Sequence, residues 1–90
     1  MKVHRRNLFV VLRMLRTAGI EADARLVGER IQVQLKHPQP GHAPIAAEFE
    51  GTEIVAAADW LVCAVIDHYP KSDLAKVWGA ILEAVASILR

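Results

Sequence analysis

Residues 52–70 read TEIVAAADWLVCAVIDHYP, and the rest of the chain is organised around them. At a helical step of about 100° per residue, Ile54, Val55, Ala58, Leu61, Val62, Val65 and Ile66 fall in one apolar arc of roughly 140°. The opposite side holds Glu53, Asp67 and His68, but also Ala56, Ala57, Ala64 and Trp60. Small residues around one Trp make a second packing surface. The stretch is therefore expected to be a spine helix. One side is covered by its own domain and the other by a helix or a partner.

Upstream of the spine, Ala24–Val27 and Arg30–Lys36 flank Gly28-Glu29. Glycine at the first position of a two-residue loop suits a type II′ hairpin turn. That loop pairs Val27 with Arg30, Leu26 with Ile31, Arg25 with Gln32 and Ala24 with Val33, which keeps apolar residues together on one face. The next stretch, 37–44, has three prolines and a glycine in eight residues and reads as a loop. Ile45–Glu50 reads as a third strand with Ile45, Ala47 and Phe49 inward. Its antiparallel register sets Arg30 opposite Glu50 and Gln32 opposite Glu48. Gly51-Thr52 ends the strand, with Thr52 placed to cap the spine.

At the N-terminus, His4–Ala18 reads as a helix with Leu8, Val11, Leu12, Leu15 and Ala18 on one face. Gly19 follows as the left-handed ending, and Ile20 folds back on Leu15. Lys2, Arg5, Arg6, Arg13 and Arg16 lie on the other side, with Phe9 among them. Phe9, Val10 and Met14 sit outside the main stripe. Downstream, Tyr69-Pro70-Lys71 breaks the spine, and Ser72 caps a third helix with Asp73 in its first turn. Leu74, Val77, Trp78, Ile81, Leu82, Val85, Ile88 and Leu89 cover an arc of about 140° on that helix. The expected fold is a single α+β domain over residues 1–90, in the order α-β-β-β-α-α. Its three-stranded antiparallel sheet carries helices on one face and is wet on the other.

Composition narrows the function classes. Net charge is +1, which favours no class of ligand, and hydrophobic residues make up 53% of the chain. That share exceeds the usual range of roughly 45–50% and points to an oligomer or a partner. The N-terminus begins basic then apolar, but the run Leu8–Leu12 is too short and Arg13 and Arg16 interrupt it, so a cleaved signal is not expected. No apolar run reaches the roughly 18 residues of a membrane span. The single Cys63 cannot form an internal disulfide, and a reducing, cytoplasmic setting is expected.

Catalytic and metal chemistry find little support. The apolar neighbours of Cys63, with Asp59 and Asp67 four residues to either side, disfavour a thiolate. No Gly-x-Ser-x-Gly motif is present, and Ser72 and Ser87 are the only serines. His37 and His42 bracket the proline-rich loop, and His4 and His68 lie elsewhere, without the close Cys-rich spacing of structural zinc. There is no phosphate-cradling glycine loop. No cofactor, metal or enzymatic activity is expected.

Two binding readings remain. Arg5, Arg6, Arg13 and Arg16 form a stripe able to follow a phosphate backbone, extended by Arg25, Arg30 and Lys36. The helix–three strands–helix order resembles, in outline and over roughly the first two-thirds of the chain, the double-stranded RNA-binding domain. That family uses a Lys-rich start to the helix after the third strand. Here the position reads GTEIVAAAD, acidic and apolar, which removes the main phosphate clamp. The favoured reading is protein binding by a non-enzymatic adaptor or inhibitor, of the kind that phages and mobile elements carry against host defence. Its expected interface is Trp60 with Ala56, Ala57, Ala64 and Phe9, on another protein or on a second copy of the chain as a homodimer.

Overall fold

A computed structural model describes the backbone of residues 3–89 and the side chains of residues 8–88. The elements run α1 (Val3–Thr17), β1 (Ala22–Val27), β2 (Arg30–Leu35), β3 (Ile45–Glu50), α2 (Ile54–His68) and α3 (Asp73–Leu89). This is the expected α-β-β-β-α-α order around a three-stranded antiparallel sheet, β1-β2-β3.

Each turn forms where local chemistry asks for it. Gly28 has φ +62°, and no residue other than glycine has positive φ among those described, as a type II′ turn requires. The hairpin register follows, with Val27 opposite Arg30 and Ala24 opposite Val33. On the other side of β2, Arg30 meets Glu50 and Gln32 meets Glu48. The Arg30 guanidinium bridges two carboxylates, 2.7 Å to Glu48 and 3.0 Å to Glu50. Its pKa is raised, first by the hydrogen bond and charge of Glu48 and then by the charge of Glu50.

Helix α1 ends in a full Schellman motif. Gly19 takes φ +78°. The Ile20 N–H donates to the Leu15 carbonyl at 2.9 Å and the Gly19 N–H to the Arg16 carbonyl at 3.0 Å. Both Leu15 and Ile20 are buried in the core. The start of α2 differs from expectation. Thr52 does not cap it; Glu53 occupies the cap position, and its carboxylate reaches back to the Glu50 N–H at 3.2 Å. The chain has already turned at Gly51, whose N–H donates to the Glu29 carbonyl at 2.7 Å, so helical geometry begins one residue later. Helix α3 starts as expected, the Ser72 hydroxyl accepting from the Ala75 N–H at 3.1 Å.

The core lies between the sheet and the helices. Ile31, Val33 and Leu35 of β2 are buried, with Leu15, Ile20, Leu61 and Val65 over them. The alternate β2 residues Arg30, Gln32 and Gln34 face water, so the helices cover one face of the sheet. Helix α2 packs on α1, α3, β2 and β3. No polar or charged side chain is buried among the described residues.

Candidate functional site

The alanine side of α2 points into the molecule. Ala57 and Ala64 are buried, Ala56 is half-buried, and Trp60 is half-buried against the core cluster. The expected interface of Trp60, Ala56, Ala57, Ala64 and Phe9 is therefore not one surface of this chain. The physical reason is that α2 has neighbours on both flanks. The small residues that let a helix approach closely admit elements of the same domain. What α2 leaves to solvent is the stripe Val55, Asp59, Cys63 and Asp67, with His68 at its end. The Cys63 thiol is exposed rather than set inside a helix interface.

Phe9 lies elsewhere, 70% exposed. With Leu8, Leu26, Ile31 and Ile54 it lines an open groove of about 340 Å³ between α1 and the hairpin tip. Leu26 occupies an inward position of β1, yet it is exposed and forms one wall of this open groove.

Among the described residues, α3 carries the longest series of exposed large apolar side chains. Leu74 is half-buried, Ala75 is buried, and Trp78 is 7% exposed, so the first two turns dock on α2. From Ala80 through Ile88 every residue is exposed. That segment contains Ile81, Leu82, Val85 and Ile88, the last 82% exposed. The helix thus leaves the domain as an apolar arm. A radius of gyration of 13.4 Å is consistent with such a projection, since about 12 Å is usual for this length.

Beside the root of the arm runs a groove of about 640 Å³ between α1 and α3. Its floor is Val10, Met14, Leu74 and Val77, and Arg13 and Asp73 stand at its edge with opposite charges. Val10 and Met14 are the residues that the sequence places outside the main stripe of α1. Arm and groove together form the candidate site.

The basic stripe divides between described and undescribed residues. Arg13 and Arg16 are exposed on α1, whereas the side chains of Arg5, Arg6 and Lys2 lie outside the described residues. The first turn of α2 carries no cation. The likeness to a double-stranded RNA-binding domain is thus confined to the order of elements.

Three of the four histidines converge at one end of the fold. The His37 and His42 rings stack with centroids 4.4 Å apart and planes within 15°, and His68 at the end of α2 lies 5.9 Å from His37. His37 Nδ1 accepts the Gln39 N–H at 3.1 Å and is occupied in holding the loop. Among the described residues no group of three His, Cys, Asp or Glu is arranged to hold a metal ion. Nearby, the Tyr69 hydroxyl donates to the Lys36 carbonyl and ties the end of α2 to the sheet. Burial, then the charge of Glu21, raises the Tyr69 pKa above its ordinary value of 10.0.

No helix among the described residues is long and apolar enough to cross a membrane. Comparison with protein-family models, curated proteins and solved structures gives no match to this chain.

Proposed function

We propose that the protein is a non-enzymatic binding module, an adaptor or inhibitor working in the cytoplasm, which docks a protein through the α3 arm and the adjoining α1–α3 groove. The observation that carries this reading is the run Ala80–Ile88. Every residue of it is exposed, yet Ile81, Leu82, Val85 and Ile88 are large and apolar. An isolated helical segment this short is marginal in water. Covering each of these side chains completely is worth about 1.5–3 kcal/mol. A folded chain gains by placing the arm against a partner. The lone exposed thiol of Cys63 is in keeping with a reducing compartment.

The test is Ile88→Ser in the full chain. An outward arm position should change folding stability by no more than about 0.5 kcal/mol, while binding of a solvatochromic apolar dye falls. Unfolding of the variant would mean that the arm belongs to the core of the monomer, and the reading would fail. Raising salt should leave apolar docking intact, whereas contact with phosphates through Arg13 and Arg16 would weaken steeply.

A further inference from the structure

Resting on that reading of the arm, we infer that its partner is a second copy of this chain, with the two α3 helices crossing antiparallel about a two-fold axis near Leu82 and Glu83. The exposed apolar face of α3 is continuous from Val77 to Ile88 and can meet itself. The arm, Ala80–Ile88, lacks a cover on its outer side; the groove lies beside the other half of the same helix, at Leu74 and Val77. Turning a second chain about an axis near the middle of the segment lays the two arms along each other, with the end of each at Val77, the near edge of the other's groove. Ile81 then faces the partner's Val85, and Val77 faces the partner's Ile88. Such a contact is isologous and closes with two copies. Lys76 and Glu83 fall on the opposite side of α3 from Val77, Ile81 and Ile88 at a step of about 100° per residue, which leaves that face apolar.

The area is of the order that a weak, reversible dimer buries. A fully buried aliphatic side chain removes roughly 60–120 Å² from water, taking about 25 cal/mol per Å². Scaled by the exposures of Val10, Val77, Ile81, Leu82, Val85 and Ile88, this comes to roughly 200–400 Å² of apolar side-chain surface per copy. With homodimer interfaces about 65% apolar, the total for two copies is roughly 600–1,200 Å². That range reaches the approximately 1,000 Å² of a specific interface but not the usual 1,600 Å², so dissociation in the micromolar range is expected.

Sedimentation equilibrium of the full chain across the micromolar range, at low and high salt, gives the first readout. The wild type should move from the chain mass of 9.9 kDa to twice that mass as concentration rises. Val85→Glu and Ile81→Lys should each raise the dimer dissociation constant at least about thirty-fold, as loss of an interface anchor does. Mixing the two variants should restore a heterodimer, because Glu at 85 in one chain then meets Lys at 81 in the other. A dimer indifferent to both substitutions, or variants that fail to rescue each other, would overturn the antiparallel α3 contact. A wild type monomeric throughout would overturn self-association. Apolar-dye binding to that monomer, lost on Val85→Glu, would then keep the docking reading alive, and absence of such binding would end both.

Discussion

Replacing Trp78 with alanine tests how the arm is held. Trp78 is the one large side chain of α3 that is buried among the described residues, with only Ala75 buried and Leu74 half-buried beside it. Truncating a Trp packed in this way costs about 3–5 kcal/mol. A domain of 90 residues has a total stability of roughly 5–13 kcal/mol. The melting temperature should therefore fall by at least about 12 °C, at about 4 °C or more for each kcal/mol in a domain of this size. The loss should also be local. Leu15, Ile31, Val33, Leu35, Leu61 and Val65 are held without α3, so detachment of α3 should precede unfolding of the rest. Far-ultraviolet circular dichroism would show part of the helical signal missing at room temperature, from the longest helix among the described residues. The chain has two tryptophans, so Trp60 becomes the sole fluorescent reporter of the remaining core. Differential scanning calorimetry alongside both signals completes the assay. A variant that melts within about 4 °C of the wild type, with its helical signal intact, would refute the idea that Trp78 anchors α3. The description of residues 80–88 as a projecting arm would fall with it.

Two further outcomes follow from local geometry. Gly28→Val should destabilise by more than about 1 kcal/mol in urea denaturation, because φ of +62° is a conformation that a β-branched residue resists. Tyr69 sets a limit at alkaline pH. Its pKa is raised in the folded protein, so the unfolded chain releases the phenolic proton first. The contribution is fully present below about pH 10, the unfolded value, and is lost as pH rises through the folded value. Thermal melts at pH 9 to 11 should show a decline, and Tyr69→Phe should flatten it.

Much of the architecture is legible from residues a few positions apart. Gly28-Glu29 between two alternating stretches sets the hairpin, and the observed pairs Leu26–Ile31 and Ala24–Val33 are those its two-residue loop dictates. Gly19 and Ile20 mark the end of α1, and Ser72 the start of α3. The cap of α2 was less legible: Thr52 is the residue whose side chain suits a cap, yet the path of the chain through Gly51 puts Glu53 there. The surplus of apolar residues was legible in total but not in place. Val10 and Met14 stand apart from the stripe of α1 in the sequence and do line the groove. Ala57, Ala64 and Trp60 stand apart in the same way on α2 and turn inward.

Periodicity measures the width of an apolar face and is silent about what lies against it. The arc from Leu74 to Leu89 looks uniform along α3, because each turn repeats the same pattern. Placement in space divides it: Trp78 falls over α2, and Ile81, Val85 and Ile88 fall beyond its reach. By itself the sequence determined the elements, their turns and the strand register, all of which follow from backbone conformation and alternation over short distances. Tertiary structure alone decided which apolar faces meet one another, because that depends on where α1 and α3 come to rest around α2, and helix packing is fixed by contacts between residues far apart in the chain.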